Sequence, residues 1–182
     1  MKNKAVTVVL ALLAVLAFFV GIWQIGRLIN PSLDLDETAL LRFVFVGIGL
    51  LIVFVVYYLT RQSKIWEVGT REVVYMAIGA ALYALLSYFF NGSVFIVPSV
   101  SQVALRPAIS IPMFFGFAFG PVVGFFTGAV GNMFGDALTG FGLSPQWSVG
   151  NGLVGMIAGL WMLFKDKQKS MNIILIVSAV LA

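Results

Sequence analysis

In GPVVGFFTGAVGNMFGDALTG, residues 120–140, Asn132 and Asp136 stand alone among glycines and apolar side chains. Residues at i and i+4 share one face of a helix. A carboxylate accepts hydrogen bonds and an amide both donates and accepts, so the pair can read a polar ligand. Bond-breaking chemistry needs more. Asp136 has no partner carboxylate or histidine within its segment, and Ser148 has no base nearby in sequence. The chain contains neither histidine nor cysteine, which removes the commonest general base, a thiolate nucleophile, a disulfide framework and the commonest transition-metal ligands. The glycines do not form a phosphate loop, because no Lys-Ser/Thr follows them and no strand precedes them. These residues point to binding rather than catalysis. The chain is expected not to be an enzyme and to bind no cofactor or metal of its own.

The elements that hold such a pair are set by composition. Of 182 residues, 61% are hydrophobic and 10% charged, against about 25% charged in soluble chains. Apolar runs of about 18 residues or more recur, and such runs are read as membrane spans. The chain is expected to be an all-α integral membrane protein, a polytopic helical bundle. Its formal charge of +4 reports topology rather than nucleic-acid binding. Lys2 and Lys4 precede the first run; Arg61, Lys64 and Arg71 lie in one connection; Lys165, Lys167 and Lys169 lie in another; Asp34, Asp36 and Glu37 lie between. The positive-inside rule then puts the N-terminus and the basic loops in the cytoplasm of a multi-pass plasma-membrane protein.

Ala5 to Ile29 is read as an uncleaved span, since it is too long for a signal peptide and lacks a convincing cleavage site. With Leu40 to Thr60 it makes an N-terminal hairpin, residues 1–60, followed by a polar linker, 61–71, and a second membrane domain, 72–182. Glu72 to Phe90 runs outward. Its Ala77, Ala81 and Ala84 form a small-residue strip along which another helix can approach, either a partner's or one of its own bundle. The polar connection from Asn91 to Pro107 is long enough to be a lid or binding loop. Ala108 to Phe119 is too short to span unless it starts deep, is shielded, or is kinked at Pro112. Gly120-Pro121 turns the chain back into the glycine-rich helix Val122 to Leu138, and Trp147 to Phe164 returns inward. Met171 to Ala182 is too short to span, so the end of an outward helix, and a further inward one, are expected to be missing.

In this topology the outer ends of several segments bring together Gln102, Arg106, Asn132, Asp136, Gln146, Trp147 and Asn151. Polar groups within spans are costly and usually face an interior or a cavity, so they are read as a small-molecule pocket. Arg106 opposite Asp136 would clamp an anionic group or tie down the loop, and Trp147 alone fits an interfacial aromatic.

The order of these features resembles the substrate-binding S component of energy-coupling factor (ECF) vitamin transporters. Three pieces carry the resemblance, from Arg71 onward: Ala77-xxx-Ala81; the hairpin LRPAISIPMFFGFAFGPVVGFFTG; and QWSVGNGLVGMIAGL. Riboflavin-type members are closest in the Gly-Pro hairpin and in the Gln-x-x-x-x-Asn-x-x-x-Gly spacing. The resemblance implies a six-helix core, here lacking its C-terminal part and preceded by an extra two-helix hairpin. It implies a subunit that captures a vitamin outside, associates with a membrane coupling subunit and two ATP-using cytoplasmic subunits, and tips in the bilayer to release its cargo. It also implies that Ala77 and Ala81 dock on the coupling subunit and that the outer helix ends hold the vitamin. The competing expectation is an accessory subunit that packs against a larger membrane complex without a ligand.

Overall fold

The computed structural model describes residues 37–92, 106–139, 144–164 and 167–181. The span read at Ala5 to Ile29, most of the Asn91 to Pro107 connection and Gln102 lie outside them. Every regular element among the described residues is helical. The α-helices are α1 (Glu37–Thr60), α2 (Thr70–Gly92), α3 (Ser110–Phe119), α4 (Pro121–Thr139), α5 (Pro145–Gly159) and α6 (Lys167–Leu181), with 3-10 turns at Lys64–Trp66, Pro107–Ile109 and Leu160–Leu163. The chain divides into two compact units, Met1–Arg61 and Gln62–Ala182.

In the first unit, α1 ends with the Thr60 hydroxyl donating to the Val56 carbonyl at 2.6 Å, and the Arg61 guanidinium lies 4.5 Å from the Tyr58 ring centroid. In the second, α4 is central. It packs against α2 on one side and α5 on the other, while α3 packs on both α4 and α5. Leu41–Thr60 of α1 and Thr70–Phe90 of α2 are long and apolar enough to cross a membrane. Leu82, Leu85 and Phe89 of α2 are among the large apolar side chains left exposed, as a bilayer requires and water would penalise.

Local sequence explains the helix boundaries. Before α2, the Gly69 N–H donates to Glu72 Oε2 at 2.9 Å, so a side chain satisfies one of the donors orphaned at a helix start. Pro121 and Pro145 open α4 and α5 at the first helical position, where a missing N–H costs nothing. Gly120 stops α3 with φ +108°, a backbone region that disfavours side chains, and its N–H closes on the Gly116 carbonyl at 2.9 Å. Pro112 sits in the first turn of α3 and is fully buried. The kink considered there is unnecessary, because proline is tolerated in a first turn. Between α2, α3 and α4, the buried Met76, Phe115 and Val123 pack with Tyr75, Ile111, Phe119 and Val122. Trp161 fastens the opposite side, its indole N–H donating to the Phe117 carbonyl at 2.9 Å while its ring stacks on Phe117.

Candidate functional site

Two glycines of α4 create the site by what they leave out. A Cβ on Gly128 would overlap the Asn151 carbonyl, so bare backbone here lets α5 close on α4. A Cβ on Gly131 would lie 2.8 Å from the Tyr83 ring and 3.0 Å from the Ala80 carbonyl, so α2 closes on the other side. Asn132, next along the chain and 5% exposed, therefore sits where side chains from three helices converge.

The hydrogen bonds are continuous. Asn151 Nδ2 donates to Asn132 Oδ1 at 2.7 Å and to the Tyr83 hydroxyl at 2.9 Å. Asn132 Nδ2 in turn donates to Asp136 Oδ2 at 2.9 Å and to Ser148 Oγ at 3.2 Å. Ser144, just ahead of α5, approaches the Asp136 carboxylate from the other side. Asn132 and Ser148 are buried; Asp136 and Asn151 are part-exposed. One edge of the cluster is thus accessible, and it presents a carboxylate and an amide.

Of the expected site residues, Asn132, Asp136 and Asn151 meet directly. Gln146 contributes a buried side-chain carbonyl oxygen that no group among the described residues satisfies, which leaves a free acceptor beside the cluster in sequence. Arg106 and Trp147 meet each other: the guanidinium lies 5.5 Å from the Trp147 ring centroid, and Trp147 is 57% exposed. The expected ion pair between Arg106 and Asp136 is not formed. Arg106 rests over the indole face, a favourable cation–π placement, and acts on Asp136 only at longer range.

Tyr83 and Ser148 belong to the hydrogen-bonded cluster but were not among the residues expected there. For Tyr83 the signal was present, because Met76, Ala80, Tyr83 and Ser87 fall at helical spacing and all four are buried. On the same helix Ala77 and Ala81 are exposed, beside Ile78 and Leu85. Ala84 is buried at 3% exposure beside Gly135 of α4, so the small-residue strip open to a partner stops at Ala81.

Fold and site together define a helical membrane protein with a polar cluster between three packed helices, open along one edge. A family model described as "ECF-type riboflavin transporter, S component" matches residues 67–182, and the chain belongs to that family. S components are substrate-binding subunits of transporters, and the family is not one of enzymes. The chain is similar to UPF0397 proteins of Vibrio atlanticus (strain LGP32), 38% identical over 100 residues, 54% of this chain and 53% of the relative. It is also similar to those of Aliivibrio salmonicida (strain LFI1238), 34% identical over 102 residues, 56% of this chain and 54% of the relative. A third, from Streptococcus pneumoniae (strain Hungary19A-6), is 30% identical over 91 residues, 50% of this chain and 47% of the relative. The chain spans about half the length of the curated relatives it matches. No solved structure matches it at a significant level.

Proposed function

We propose that the chain is the membrane-embedded capture subunit of an ECF-type importer. It takes a vitamin or related micronutrient, with riboflavin the first candidate, from outside the cell. It delivers that cargo inward together with a transmembrane coupling subunit and two cytoplasmic ATPase subunits, which use the ATP. The observation that carries this reading is the Tyr83–Asn151–Asn132–Asp136 cluster, which lies wholly within the segment the family model matches. Its part-exposed edge, the Asp136 carboxylate and the Asn151 side-chain carbonyl, offers acceptors suited to a heterocycle that carries N–H or O–H donors along its edge. Gln146 Oε1 is a further acceptor awaiting a donor, and the exposed indole of Trp147 offers a stacking face. Ala77 and Ala81, small and exposed on a spanning helix, are the proposed contact for the coupling subunit. The N-terminus and the basic connections lie on the cytoplasmic side in this reading.

The test is ligand identification. Native mass spectrometry of the detergent-purified chain, followed by titration with riboflavin, thiamine, biotin and cobalamin, should reveal one bound vitamin. Riboflavin binding should quench flavin fluorescence. A chain that binds none of these and purifies only within a larger complex would favour the accessory-subunit alternative.

A further inference from the structure

At the other end of α2, away from the polar cluster, the described residues line an open cavity of about 480 Å³. Tyr75 of this cavity and Tyr83 of the cluster are separated by about 12 Å of helix at ~1.5 Å per residue. The cavity's size falls within the range of small-ligand sites, about 300–1,000 Å³. Its floor is aromatic: Tyr75 and Phe119 stack with centroids 4.0 Å apart. Its rim is charged and balanced, with Lys64 and Arg71 against Glu67 and Glu72. Two of these four already serve the fold. The Arg71 guanidinium pairs with Glu72 Oε1 at 3.1 Å, while Glu72 Oε2 accepts from the Gly69 N–H. Lys64 and Glu67, at the two ends of the short 3-10 turn, are exposed and form no ion pair among the described residues. One free cation and one free anion thus face a shared cavity above an aromatic floor. The cavity lies at the N-terminal end of α2, whose residues Thr70–Phe90 are long and apolar enough to cross a membrane, and Val73 and Val74 are exposed beside it.

We propose that this cavity binds the headgroup of a phosphoethanolamine lipid, with Lys64 against the phosphate and Glu67 against the primary ammonium. A rim whose charges cancel fits a headgroup whose own charges cancel, whereas an anionic headgroup would leave Glu67 facing phosphate. A quaternary choline ammonium offers no N–H for Glu67 to accept from. The Tyr75 and Phe119 rings provide an apolar and π surface beneath the ammonium and glycerol, and the acyl chains run along the exposed valines. This site is independent of the vitamin pocket, and neither needs the other to exist.

The test uses the full chain in nanodiscs containing equal parts phosphatidylethanolamine, phosphatidylglycerol and phosphatidylcholine, with lipids retained after detergent extraction counted by native mass spectrometry. The expected result is enrichment of phosphatidylethanolamine over both others. Lys64→Ala should reduce it by roughly two- to five-fold, the range of a partly exposed ionic contact. Glu67→Gln should reduce it similarly and raise the phosphatidylglycerol share. Both side chains are exposed, so unchanged thermal melting is expected and confirms that the variants fold. Equal retention of the three lipids, preference for phosphatidylglycerol, or wild-type selectivity in both variants would overturn the proposal. Binding of inorganic phosphate or glycerophosphoethanolamine as tightly as the lipid would overturn the assignment to a membrane ligand.

Discussion

Along α4, the side facing α5 is closed by backbone against backbone, and the side facing α2 largely by backbone against side chain. A Cβ on Gly124 would overlap the Gly155 carbonyl, and one on Gly155 would overlap that of Gly124. Across the other seam, a Cβ on Gly131 would meet the Tyr83 ring at 2.8 Å, and one on Gly135 would meet the Ser87 Cβ at 3.1 Å. Deep backbone overlap is relieved only by moving a whole helix, whereas the Gly135 contact with Ser87 Cβ is relieved by a shift of a few tenths of an ångström. The α4–α5 pair is therefore the fixed frame of the site, carrying Asn132, Asp136, Ser148 and Asn151, and α2 brings Tyr83 to it across a more forgiving contact. In the proposed binding site, this division would keep the polar wall rigid and let one element adjust to cargo.

The sharpest way to break that contrast is to add one methyl group to the rigid seam. Gly124→Ala or Gly155→Ala should cost about 3 kcal/mol or more, the upper range for overpacking, and abolish a cooperative melt in detergent. Gly135→Ala, on the forgiving seam, should cost clearly less, about 1 kcal/mol; equal losses at both seams would erase the distinction. Next in size is Asn151→Ala. It removes the donor shared by Tyr83 and Asn132 and leaves a buried acceptor unmet, for a cost of about 1–3 kcal/mol in melting experiments without ligand and a matching loss of affinity. Replacing Ala77 and Ala81 by Trp should change melting by less than about 0.5 kcal/mol, because both are exposed, and leave ligand binding intact while uptake in cells is lost. Loss of binding instead would mean that those alanines pack within the bundle. A last effect has the opposite sign. Gly150 has open space where a Cβ would go, so Gly150→Ala should stabilise α5 by up to about 1 kcal/mol through helix propensity alone.

The sequence made the helical class plain, and Asn132 and Asp136 could be placed on one face because helical spacing fixes that much. Asn151 could be joined to them because the topology placed all three at the outer ends of neighbouring segments. Tyr83 escaped because α2 was read for its alanines, although Ser87 one turn later marked the buried side. Ala84 shows a second limit. Periodicity places a residue around a helix, but not where along it a neighbour such as Gly135 covers that strip. Arg106 shows a third, since its charge opposite Asp136 suggested that the two would pair, while the guanidinium rests over the exposed indole of Trp147.

The most direct test of the central claim, that the polar cluster at the meeting of α2, α4 and α5 is the ligand site, is a flavin fluorescence titration of the purified chain beside its Asn151→Ala and Asp136→Ala variants. The account predicts saturable quenching by the unaltered chain and affinity weakened roughly ten-fold in each variant, as the loss of a hydrogen bond to a buried polar or charged group implies. Saturable quenching with the same affinity in all three proteins would contradict it.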